Sequence, residues 1–144
     1  MATTRREHIL DAVKTAITAT TGISSRAYRS RVLPLAQRSQ LPALLLTWTN
    51  DVAAQETSLA TLNWTLEIEV ACLVSGDTPD EVADTIVENM HSRLMSDVTL
   101  GGYAMDLVPT GTTNESMDAD QPAGVVTSSY QIRYRTANDD LSTV

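Results

Sequence analysis

The 144-residue chain has no phenylalanine, one cysteine and two histidines, and only 4% of its residues are aromatic. Without phenylalanine, Leu, Ile, Val and Ala must supply most of the core. Cys72 has no second cysteine to pair with. It falls on an apolar face, with no histidine near it in sequence, and is expected to be a small buried hydrophobe rather than a reactive thiol. His8 and His91 lie on separate helical segments, with neither His-Glu-x-x-His nor Cys-x-x-Cys spacing. No zinc site is expected, and each reads as a solvated helix residue. Gly-x-Ser-x-Gly, Walker-type and dinucleotide glycine patterns are missing too, and "LGGY" reads as a turn.

Long apolar runs are also lacking. None approaches the roughly 20 residues that cross a bilayer, and "MATTRREHIL" has no apolar core of a signal peptide. The expectation is a soluble protein made in the cytoplasm, with no membrane partner. Basic residues are scarce, 10 against 18 acidic, for a net charge of −8. That balance argues against a dedicated DNA- or RNA-binding module. It leaves open a surface that nucleic acid passes without sticking. Glu67 and Glu69 share one strand face and "MDAD" (117–120) sits in a polar stretch. Neither has calcium-loop spacing, so solvated charge is the expectation. Trp48 and Trp64 are assigned to hairpin-core packing rather than ligand stacking. No enzyme activity, cofactor or metal is expected.

What is present is scaffold. A chain of this length is most naturally one domain, able to bury roughly two thirds of its unfolded surface without a metal or disulfide. Thr4-Arg5-Arg6-Glu7 has the spacing of a capping box. Ile9, Leu10, Val13, Ala16, Ile17 and Thr20 follow at helical spacing, which predicts a helix over 5–20 stopped at Gly22. "RAYRSRVL" (26–33) reads as a strand, and "ALLLTWT" (43–49) as a short apolar one. Residues 50–60 are polar and weakly periodic, a long hairpin arm or loop. Leu62, Trp64, Leu66, Ile68, Val70 and Cys72 then alternate with polar or small residues. That period of two means a strand with one face on a core.

After Gly76-Asp77 comes "TPDEVADTIVENM". Thr78 is placed to cap, Pro79 to occupy the first helical position, and Glu81 to complete a second capping box. Val82, Ala83, Ile86, Val87, Met90 and Leu94 form its predicted buried stripe. "YAMDLVP" (103–109) reads as a strand leading into a polar loop through residue 123, and 125–136 as the last strand. Residues 137–144 read as a flexible tail. The fold expected is therefore α+β, in the order α-β-β-β-α-β-β. About five strands form one mixed or antiparallel sheet, with two helices on one face.

Three stretches together resemble a known family. They are "RAYRSRVLPLAQRSQLPALLL", "LEIEVACLVSGDTPDEVADTIVENMHSRLMSDVTLGG" and "MDADQPAGVVTSSYQIRYRT". In order and spacing they resemble the tail terminators, minor tail proteins of long-tailed bacteriophages, over nearly the whole chain. Members often carry an aromatic residue before the acidic loop, where this chain has "TTNES" (112–116). The resemblance implies a structural virion protein at the head-proximal end of the tail. It forms a homo-oligomeric ring, usually a hexamer, that binds the last ring of the tail tube protein and ends polymerisation. It then offers a surface to the head connector or neck protein, while DNA passes through the lumen without specific binding. Closure of such a ring requires head-to-tail contacts, and the negative charge suits a lumen along which DNA must slide. A head-completion or neck protein is the alternative within the assembly class; a small ligand-binding domain or enzyme is the alternative outside it.

Candidate interface residues follow from polarity. The arms 50–60 and 111–123 supply Asn50, Asp51, Gln55, Glu56, Asn114, Asp118, Asp120 and Gln121. Their backbone groups are expected to lack internal partners and to be ordered by a neighbour. Glu67 and Glu69 on one strand and Arg133 and Arg135 on another add opposite charges that could pair within the sheet or across a subunit boundary.

Overall fold

A computed structural model describes residues 3–23, 26–29, 42–55, 60–75, 78–117 and 123–143. Its elements are α1 (Arg5–Thr18), β1 (Ala27–Arg29), β2 (Ala43–Ala54), β3 (Thr61–Ser75), α2 (Pro79–Met95), β4 (Asp106–Met117) and β5 (Ala123–Ala137). The strands form one sheet in the order β1-β2-β3-β5-β4. β1 runs parallel to β2 and every other pairing is antiparallel. The α-β-β-β-α-β-β order and the α+β class are those expected.

Alternation decides which face is covered. Along β3, Leu66, Ile68, Val70, Cys72 and Val74 are buried while the residues between them are half-exposed. Directly opposite on β5 are Ile132, Tyr130, Ser128 and Val126. Ile9, Leu10, Val13 and Ile17 of α1 close over this face with Ala83, Ile86, Met90 and Leu94 of α2. Val82, assigned to that stripe, is 43% exposed. It stands one residue before Ala83, and a 100° step per residue carries it off the buried face.

Both helix starts depart from the predicted capping boxes. Thr4 Oγ1 accepts from Glu7 N–H at 3.1 Å as expected, but the Glu7 carboxylate turns outward to Arg29 of β1 at 2.6 Å. A charged, two-pronged partner outcompetes a backbone N–H. Pro79 does open α2, yet Thr78 (φ −126°, ψ 70°) makes no side-chain capping bond. α1 ends at Thr18 rather than at residue 20, and Gly22 (φ 100°) turns the chain beyond it. The "LGGY" turn is present. Leu100, Gly101 and Gly102 all have positive φ, and Asp97 accepts from Thr99 and Gly101 N–H at 3.1 and 3.0 Å.

The largest differences concern the polar arms. Residues 50–54 continue β2 and pair with 63–67 of β3. Residues 110–117, expected as loop, belong to β4, whose partners run from Arg133 to Ala123 of β5. Their backbones therefore do have internal partners, supplied by strongly patterned strands beside them. Residues 103–105 of the predicted fourth strand lie instead in the turn before β4. Only Ala27–Arg29 of the predicted first strand is described as strand; residues 30–33 lie outside the described residues. After β5, Asn138 N–H donates to Ala60 O at 3.1 Å, and Leu141 O accepts from Arg5 N–H at 2.9 Å. These contacts join the chain's end to α1 and to the start of β3.

Each of the two outer long strands carries a bulge, between Trp48 and Asn50 in β2 and between Pro109 and Gly111 in β4. Trp48, Ile68, Tyr130 and Pro109 lie in one row across the sheet. Both bulges thus interrupt the ladder at the same level. The hairpins beyond them point to opposite ends, because Thr61 pairs with Ala137 while Ser75 pairs with Ala123.

Candidate assembly interface

Among the described residues no helix covers the sheet's second face. That face presents Thr65, Glu67 and Glu69 of β3 beside Arg133, Gln131 and Ser129 of β5. Glu67 and Glu69 do face away from the helices, half-exposed. Arg133 forks onto Asp106 of β4 with a shortest contact of 2.7 Å, and Arg135 Nε donates to Asn63 Oδ1 at 2.8 Å. Both arginines thus have partners within the subunit. The Arg133 guanidinium holds the Asp106 carboxyl below the usual carboxylate range.

The candidate residues of the first arm separate. Asn50 and Gln55 are exposed, and Glu56 lies outside the described residues. Asp51 is a correction: its side chain is only 3% exposed. The β2 bulge inserts one residue, so Asp51 sits opposite Leu66 on the helix-covered face rather than on the open one. There its Oδ2 accepts from Arg6 Nη1 at 3.2 Å and from the Tyr134 hydroxyl. Burial first, and then this bond to a carboxylate, pushes the Tyr134 hydroxyl's pKa up. Trp64 stacks on Tyr134 and donates its indole N–H to Thr136 at 2.9 Å. Trp48 is 40% exposed with the Arg6 guanidinium 4.7 Å from its ring centre, so it forms a lid rather than core.

In the second arm Asn114 is exposed, with its neighbours in β4 from Pro109 to Glu115. Asp118, Asp120 and Gln121 lie outside the described residues. Between this strand and α2 runs a groove of about 420 Å³ lined by Asp84, Glu88, His91, Thr112 and Tyr130. His91, expected to be solvated, is half-buried, its Nδ1 2.8 Å from the Tyr130 hydroxyl. Burial pushes that hydroxyl's pKa up to about 12. His8 likewise stacks on Tyr103 at 4.5 Å. The contacts of both histidines are with residues remote in the chain, Tyr130 and Tyr103, which spacing along the sequence does not reveal.

Chemistry finds little here. Cys72 is buried, with its thiol pushed up to about 12 by loss of solvent, which leaves it protonated and inert. Among the described residues no cluster of three His, Cys, Asp or Glu side chains is placed to hold a metal ion, and no helix is long and apolar enough to cross a membrane.

No family model matches the sequence, and no curated protein sequence matches it. By fold, the chain is similar to a chain in the virion of a native gene transfer agent particle, with a TM-score of 0.60 at 9% identity. The likeness covers 88% of this chain and 93% of that one, and what the two share is the fold.

Proposed function

We propose that this protein is a structural component of a phage-like virion, and that it acts as a tail terminator. Copies form a closed ring, six by the resemblance in sequence, that caps the tail tube, ends its polymerisation and receives the head connector. The observation carrying this reading is the fold shared with a virion chain over nearly the full length of both. That likeness runs over nearly the whole of both chains, which supports a subunit of the same build. The two hairpins at opposite ends of the sheet suit a part that meets one partner on each side. The open face, with acidic and basic side chains interspersed, suits a wall along which DNA moves without being retained.

Class averages of the purified protein by electron microscopy test the reading. Closed rings with a central lumen are expected, and particles assembled without the protein should carry tails of irregular length. A strictly monomeric protein, together with uniform tails in its absence, would overturn it.

A further inference from the structure

The ring reading leaves open which surfaces meet, and two margins of the sheet bear on it. β4 is one margin, and its residues 109–115 are all exposed. Pro109 blunts the beginning of this edge, but residues 111–115 include neither proline nor lysine and a single charge, Glu115. An unblunted edge of that length is a template for another chain. Above it, Asp80, Asp84 and Glu88 repeat every four residues along the side of α2 that faces β4, where they line the groove and its extension toward Asn114.

The opposite margin differs in shape and charge. β1 covers only Leu44–Leu46 of β2, so among the described residues 47–54 have no strand on that side. Arg29 reaches Glu7 and Asp11, which puts residues 7, 11, 14 and 18 of α1 along the β1 flank. This flank holds Lys14, Arg26 and Arg29 against those two acids, with Lys14 exposed.

We propose that copies of this chain join head to tail, the β4 edge and acidic α2 flank of one receiving the β1–α1 flank of the next. Joining two β4 edges would bring two acidic flanks together, which like charges oppose. The two margins are compatible in direction, since β4 runs opposite to β1 and β2, and neighbouring copies would meet as antiparallel strands. Unlike margins in contact are heterologous, the type of contact that closes into rings. The groove beneath Asp84 and Glu88 then takes a cationic side chain of the neighbour. This inference rests on the ring reading and adds its joint.

The experiment uses two charge-reversed proteins and native mass spectrometry. One carries Asp84→Lys and Glu88→Lys, the other Lys14→Glu and Thr18→Glu. Asp84, Glu88 and Lys14 are exposed and Thr18 is half-buried at the helix end, and circular dichroism confirms that each variant folds. Each variant alone should need at least about tenfold more protein to assemble than the parent. An equimolar mixture should assemble again, as rings of alternating variants, because every joint then pairs opposite charges. Rings formed by the first variant as readily as by the parent would overturn this joint while leaving the ring reading intact. Two folded variants that fail to assemble when mixed would do the same. A parent that stays monomeric at every concentration would overturn both.

Discussion

The two hairpins are built alike and fastened differently. Each has a long outer strand with a bulge at the same level of the sheet. Beyond the first bulge, Asp51 turns inward and is clasped by Arg6 of α1 and Tyr134 of β5. Beyond the second, every described β4 side chain is exposed. A polar residue at a strand tip can thus be an internal rivet or an open edge, and composition does not tell them apart. What separates them is whether the bulge delivers a side chain to a partner already waiting on the covered face.

The largest effect tests what both hairpins share. Ile68 is 1% exposed and stands opposite both Trp48 and Tyr130. Ile68→Ala should cost about 2–5 kcal/mol in chemical denaturation and loosen both hairpins equally. Next comes the difference between them. Asp51→Ala strands Arg6 and the Tyr134 hydroxyl and should cost about 1–3 kcal/mol. Glu115→Ala on the second hairpin should stay within about 0.5 kcal/mol. Equal losses would mean that the two hairpins are fastened alike. Smaller still is an effect of pH at the root of the second hairpin. Asp106 is held below its ordinary value by Arg133, so its contribution is fully present above the unfolded carboxylate pKa. It fades as pH falls through the lower folded value. The protection factors of the β4 amides, taken relative to the intrinsic exchange rate at each pH, should therefore fall in acid, and Asp106→Asn should remove that dependence. An exchange profile unchanged by Asp106→Asn would show that the pair contributes nothing.

Alternation made the centre of this fold legible. Leu66, Ile68, Val70 and Cys72 declare a covered face, and Val13, Ile17, Met90 and Leu94 declare what covers it. Residues 110–117 were not legible, because Gly111, Thr112, Thr113 and Asn114 have turn chemistry of their own and become strand only through β5. Here tertiary pairing overrides local preference. Asp51 was misread for a different reason. Simple period-two counting from Trp48 places it on the open face, and no residue type announces the extra one that re-faces it. Glu67 and Glu69 were placed on their correct face, whereas the bonds of Arg133 to Asp106 and Arg135 to Asn63 depend on a register that sequence does not print.

The β2 bulge also frees the length of the first hairpin from the rest of the molecule. The sheet's phase is set by residue 50, and Asp51 fixes the strand immediately after it. From Val52 onward no side chain of β2 is buried. Residues can be gained or lost beyond Asp51 without turning a core position to solvent, so the reach of the tip can drift while its footing holds. A lineage confronting partners of changing shape could alter that reach by small insertions and keep the same subunit beneath it.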